Sequence, residues 1–229
     1  MKEKKHIIIN QRIPIKVLND GMATLLSNGT ISIEELKVHM QEFFQGENRI
    51  TKSAQYSFHV LSRPKVLPVL QSNFDLDRYN LLPDDDRNAL LLNLIALTYP
   101  VAYDLLNIIG KIYKVQKQIN RASISTRLSS IYGSNRSLYN ALDALLPMLI
   151  ELEIIKRTKI SIYEKEVKKE IKTPLISELL IYTDIKSSES KTILFDDLLS
   201  RPWYMYFEPV LNFNKLTLLK YTESRIGNG

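Results

Sequence analysis

Arg136 stands between Asn135 and Ser137, with Ser134 before it and Tyr139 and Asn140 just after, a short run of side chains well suited to contacting a polyanion. An arginine can donate two hydrogen bonds to a guanine edge and an asparagine can pair with adenine, while serine and tyrosine hydroxyls suit phosphate oxygens. Around this run lies the chain's positive charge. Lys111 to Thr173 holds 13 Lys or Arg against 6 Asp or Glu, a net +7, whereas the whole 229-residue chain carries +6, so the remainder nets −1. One basic block in an otherwise neutral chain predicts a face that meets nucleic acid, with an ordinary solvated basic surface as the plainer alternative.

Other chemistry is sparse. The chain has no cysteine, which removes disulfides, thiolate nucleophiles and sulfur-ligated zinc and fits a reducing cytoplasm. His6, His39 and His59 lie in separate segments without metal-ligand spacing. No GxxxxGK, GxGxxG or GxSxG run is present. Asp84, Asp85 and Asp86 precede the apolar run RNALLLNLIAL and read as a cap and first-turn charges at the positive end of a helix dipole, as do Asp196 and Asp197 before Leu198 and Leu199. The expectation is a non-enzymatic protein without cofactor or metal. A metal-dependent nuclease is the catalytic alternative, with Asp75, Asp77, Asp84 and Asp86 as its first carboxylates.

The elements that must position these residues are mostly helical. Composition is that of a globular protein, 45% hydrophobic and 24% charged, without a repeat or low-complexity tract. No run approaches the ~18 to 20 uninterrupted apolar residues of a membrane span. Residues 1–18 read as a strand or arm. Met22–Ser27 predicts a helix, Asn28-Gly29 a turn, and Ser32 with Glu35 a capping box opening a second helix with Leu36, Met40 and Phe43 or Phe44 inward. A third helix is expected over Thr51–Leu61, stopping before Pro64. From Pro100, Val101, Leu105, Ile108, Ile112, Val115 and Ile119 recur at helical spacing, with Lys111, Lys114 and Lys117 on the polar side. Further on, Leu175–Tyr182 predicts a helix, Lys186–Lys191 a polar turn, and RPWYMYFEPV a period-two strand whose aromatic cluster could alternatively stack bases.

Between these lies the unit that presents Arg136. Ser123 or Ser125 opens a short helix with Ile124, Leu128 and Ile131 inward and Arg127 outward, and Gly133 ends it. Ser134 or Asn135 caps the next helix, lined by Leu138, Leu142, Leu145, Leu149 and Leu152. Two helices around a glycine turn, behind a longer one, form a helix-turn-helix whose last helix suits the major groove. EIIKRTKISIY followed by KEVKKEIK predicts two strands of a β-wing, bringing Lys156, Arg157, Lys159, Lys165, Lys168 and Lys169 to flanking phosphates. Pro147 falls inside the last helix and predicts a kink or an early end.

The run Leu149-Ile150-x-Leu152-x-Ile154-Ile155-Lys156-Arg157 resembles winged-helix transcription factors, in which a glycine usually stands where Glu153 does. More broadly, LLSNGTISIEEL, NRITKSAQYSFHVLSRPKVL, LLLNLIALTYPVAYDLL and the wing-bearing unit follow one another in an order that resembles the BrxA family of BREX phage-defence systems, over roughly Leu18 to Arg157. That resemblance implies a DNA-binding component of a bacterial defence locus. The expected architecture is a mainly α protein containing a winged helix-turn-helix with a small β-wing. Residues 1–82 form an amino-terminal helical region, 83–173 the winged core, and 174–229 a carboxyl-terminal α/β extension packed on it. The expected partner is double-stranded DNA, with other proteins of a defence complex and a second copy of the chain as further candidates and no membrane. The alternative is a protein-docking module that does not touch DNA.

Overall fold

Pro14 and Gly29 bracket the first helix, α1 (Ile15–Asn28); Gly29 adopts φ 79° and its N–H donates to the Leu25 carbonyl, the left-handed closure that glycine makes without strain. The computed structural model describes residues 6–63, 65–188, 193–210 and 216–219. The helix α1 is longer than Met22–Ser27 because Ile15, Val17 and Leu18 extend its buried stripe. Ser32 caps α2 (Ile33–Met40) through the predicted capping box: Ser32 Oγ accepts from Glu35 N at 3.2 Å, and Glu35 Oε2 accepts from Ser32 N at 2.8 Å. Leu36 and Met40 are buried, and of the two following phenylalanines Phe44 is the inward one. The helix α3 (Glu47–Leu61) stops where expected; Pro64 itself lies outside the described residues. Two short helices, α4 (Leu67–Asn73) and α5 (Leu76–Asn80), lead to α6 (Asp84–Thr98), whose residues Ala89–Ala96 are buried on every side. The expected amino-terminal strand is absent among residues 6–14, which run without regular structure and bury Ile9 and Ile13; residues 1–5 lie outside the described residues.

The next helix, α7 (Pro100–Tyr113), ends earlier than its apolar stripe predicts. Val115 is exposed, and Ile119 belongs to a short strand, β1 (Gln118–Asn120), whose pairing with a later strand overrides the helical spacing. Then come α8 (Arg121–Tyr132) and α9 (Arg136–Glu151), followed by the hairpin β2 (Ile155–Lys159) and β3 (Ile162–Lys165). The three strands form an antiparallel sheet in the order β1-β3-β2, with Ile119 opposite Tyr163 and Arg157 opposite Tyr163 on the other side. Pro147 does not end α9, which continues through it.

The hairpin is shorter than predicted. It turns at Ile160-Ser161, and the segment expected as its second strand instead yields β4 (Lys169–Ile171), which pairs in parallel with β5 (Phe207–Pro209) in a separate two-stranded sheet. The helix α10 (Pro174–Ser187) is longer than expected and packs on α6. The polar turn foreseen over 186–191 starts as the end of α10, and residues 189–192 lie outside the described residues. After a single turn, α11 (Phe195–Leu198), the aromatic run forms a 3-10 helix (Pro202–Met205) rather than a period-two strand. Trp203, Tyr204, Tyr206 and Phe207 are all buried, so none is available to stack a base. Trp203 Nε1 donates to the Leu180 carbonyl, and Tyr206 Oη donates to the Leu106 carbonyl at 2.9 Å. A close approach explains Gly110: a Cβ there would lie 2.4 Å from the Pro202 carbonyl oxygen. The described residues are thus mainly helical, with two small sheets.

Candidate nucleic-acid interface

Asn120 and Asn135 set the frame of the candidate site. Each caps a helix: Asn120 Oδ1 accepts from Ser123 N at 2.7 Å to begin α8, and Asn135 Oδ1 accepts from Leu138 N at 3.0 Å to begin α9. Gly133, at φ 81°, joins them and donates its N–H to the Ser129 carbonyl. Ile124 and Leu128 of α8 are buried, as are Leu138, Leu142, Leu145, Leu149 and Leu152, so one side of each helix is committed to the core. Tyr132 Oη reaches Asp104 Oδ2 at 2.7 Å, fixing the end of α8 to α7; burial and that carboxylate both push the phenol's pKa well up, so it stays neutral. At its far end α9 is held by the amino-terminal segment: Ile15 N donates to Glu151 Oε2 at 3.0 Å, and Arg12 pairs with the same carboxylate.

This leaves the first turns of α9 facing solvent. Ser134, Asn135, Arg136, Ser137 and Tyr139 are exposed and Asn140 is half-buried. Asn135 is engaged as a cap, and its Nδ2 also donates to the Tyr132 carbonyl at 3.3 Å, so it positions Arg136 rather than offering its amide to a base. Arg136 makes no ion pair with another described residue, and neither do Arg127 on the exposed side of α8 and Lys159 on the hairpin.

A cleft of about 440 Å³ joins α8, the start of α9 and the hairpin turn. Ser125, Thr126, Ser129, Ser134, Tyr139 and Ser161 line it, a wall of hydroxyls beside the amino-terminal turn of α8. Arg121, outside the expected contact set, also lines it. Its guanidinium sits 2.5 Å from Asp143 Oδ1 and donates to the Tyr139 carbonyl at 3.4 Å, and the Asp143 hydrogen bond raises its pKa further above neutrality. The signal lay in the caps: an asparagine before Arg121 announces a helix start there, not at Ser123 or Ser125.

On the hairpin, Lys156, Arg157 and Lys159 are exposed. Lys156 has a loose partner in Glu166 at 3.8 Å, and Arg157 Nε donates to the Lys159 carbonyl. Of the three other predicted lysines, Lys165 ends the hairpin's second strand and Lys168 and Lys169 lie beyond it. Lys165 is half-buried, its ammonium directed to the Met205 carbonyl at 3.4 Å. Lys168 is exposed but borders a pocket shared with Asp85, Glu153 and Glu166. Lys169 is buried, its Nζ held by Asp85 Oδ1 at 2.6 Å and Glu153 Oε2 at 3.1 Å. Burial alone would lower its pKa, but the two carboxylates outweigh that and raise it, so Lys169 is a charged structural tie without a free ammonium for phosphate. The physical reason is topological: residues 169–171 belong to the β4–β5 sheet and not to the hairpin.

The carboxylates suspected of metal chemistry are dispersed. Asp75 caps α5 through Arg78 N at 2.8 Å, and Asp84 pairs with Arg87. Asp86 does not cap its own helix; it is fully buried and accepts from Lys172 N at 2.9 Å, Thr173 N at 2.7 Å and the Thr173 hydroxyl. Among the described residues no group of three or more His, Asp or Glu is placed to hold a metal ion, and no single helix is long and apolar enough to cross a membrane. No family model, curated protein or solved structure matches the chain.

Proposed function

We propose that α7, β1, α8, α9, β2 and β3 constitute a winged helix that binds duplex DNA, with the amino-terminal half of α9 in the major groove and the β2–β3 hairpin against the flanking backbone. The order helix, strand, helix, helix, hairpin with the sheet order β1-β3-β2 supports this reading. The observation that carries it is the start of α9: Arg136 is exposed and unpaired among the described residues, at the positive end of a 16-residue helix whose opposite side is locked into the core. Arg127, Lys156, Arg157 and Lys159 supply phosphate contacts on either side. Lys165 and Lys169 drop out of the contact set because their ammonium groups are committed inside the protein. The resemblance to BrxA supports a setting in phage defence.

Fluorescence anisotropy with a labelled duplex tests this. Four to five neutralised phosphates predict a linear fall of log affinity with log salt, ~100-fold or more between ~50 and ~200 mM. Arg136→Ala is expected to weaken a preferred sequence by ~1 to 3 kcal/mol. Arg157→Ala with Lys159→Ala weakens all sequences alike and flattens the salt slope by about two. Absence of duplex binding at ~50 mM salt overturns the reading.

A further inference from the structure

Where the α3–α4 turn, the α6–α7 corner and the carboxyl-terminal end of α10 meet, a cavity of about 540 Å³ opens to solvent. The corner exists because α6 and α7 meet at 117° with Tyr99 between them, leaving Pro100 at the cavity wall. Its lining divides by chemistry. His6, Arg63, Lys65 and Lys186 bring four basic side chains from three separate stretches of chain, and no carboxylate lines it among the described residues. Below them Val66, Ala96 and Tyr182 are buried and Leu97 is half-buried, giving an apolar floor.

Helix-end electrostatics accounts for Lys186, which lies in the last turn of α10. It does not account for His6 and Lys65, which reach the same concavity from irregular segments. Arg63 and Lys65 have no carboxylate partner among the described residues, so no described neighbour neutralises their charges, which remain for an anion entering the cavity. Lys186 rests over the Tyr182 ring, 5.8 Å from its centre. The hydroxyl of that tyrosine makes no hydrogen bond to another described residue.

We infer that this cavity binds a small phosphate ester bearing a ring system, of the size and chemistry of a mononucleotide. The volume falls in the ~300 to 1,000 Å³ range of small-molecule sites, which pair an apolar floor with a few convergent polar groups. The guanidinium and ammonium groups take the phosphate, and the floor takes the ring. A duplex is far wider than the cavity, so this ligand is separate from DNA at α9, and the inference does not rest on the DNA reading.

Calorimetric titration of the full chain with AMP, ribose 5-phosphate and inorganic phosphate tests it. AMP is expected to bind one to one, ~10-fold or more tighter than inorganic phosphate because its ring buries apolar surface, with ribose 5-phosphate between them. Arg63→Ala with Lys186→Ala, both at solvent-accessible positions, lowers AMP affinity ~10-fold or more while the urea midpoint stays unchanged. The inference is overturned by no AMP binding up to ~1 mM, by equal affinity for AMP and inorganic phosphate, by AMP binding that the double variant leaves intact, or by displacement of AMP when duplex DNA is added.

Discussion

Asp86 shows how much one side chain can hold. It is fully buried in the first turn of α6, and its two oxygens take the N–H groups of Lys172 and Thr173 and the Thr173 hydroxyl, closing the entrance to α10 from 86 residues away. Removing it strands three donors. Asp86→Ala is expected to lower stability by ~3 kcal/mol in urea unfolding, whereas Asp84→Ala, two residues earlier and exposed, changes it by less than ~1 kcal/mol. A small effect at Asp86 would mean that the α10 entrance holds by packing alone. Local roles of this scale were legible where donor and acceptor lie within one turn, as in the Ser32–Glu35 box and the Asn135 cap. They were not legible for Asp86 or Lys169, because the deciding partners are remote: Lys169 reads as a surface cation until Asp85 arrives from 84 positions earlier.

At the scale of elements, the exit of α9 explains an anomaly in the sequence. Ile154 N donates to the Leu149 carbonyl and Glu153 N to the Ile150 carbonyl, the paired bonds of a Schellman closure, and Glu153 occupies its left-handed position at φ 55°. A glycine would sit there without strain, while Glu153 bears a cost of ~1 to 2 kcal/mol, offset in part by its bond to Lys169. Glu153→Gly is therefore expected to leave the urea midpoint nearly unchanged, within ~1 kcal/mol. Glu153→Val, β-branched and without the carboxylate, loses ~2 kcal/mol or more. A large loss in the glycine variant would show that the ion pair dominates. The leucine stripe of α9 was readable because burial at every third or fourth position leaves a period in the sequence. The end of α7 was not, because Val115 and Ile119 continue that period while strand pairing with β3 redirects the chain.

Across the whole molecule, tyrosine is the residue that binds the layers together. Of twelve tyrosines, seven (Tyr79, Tyr99, Tyr103, Tyr113, Tyr132, Tyr204 and Tyr206) have pKa values driven well above 10, first of all by burial, which disfavours the phenolate. The folded chain thus holds these phenols neutral while the unfolded chain ionises them near ~10. Their contribution to stability is complete below pH ~10 and is lost as pH rises beyond it. Alkaline titration followed by phenolate absorbance is expected to show these seven ionising in a cooperative step coincident with loss of helix. Gradual ionisation of these seven with the helix intact would refute this. The lone tryptophan adds a clock to the same layers. Trp203 is fully enclosed by Tyr103 of α7, Phe207 of β5 and the Leu180 carbonyl of α10, so its environment forms only when the carboxyl-terminal run docks on helices made long before it. On a ribosome that event must wait until residues 203–207 have emerged, and the emission of this one indole would mark when α7, the first helix of the proposed DNA-binding unit, gains its final support.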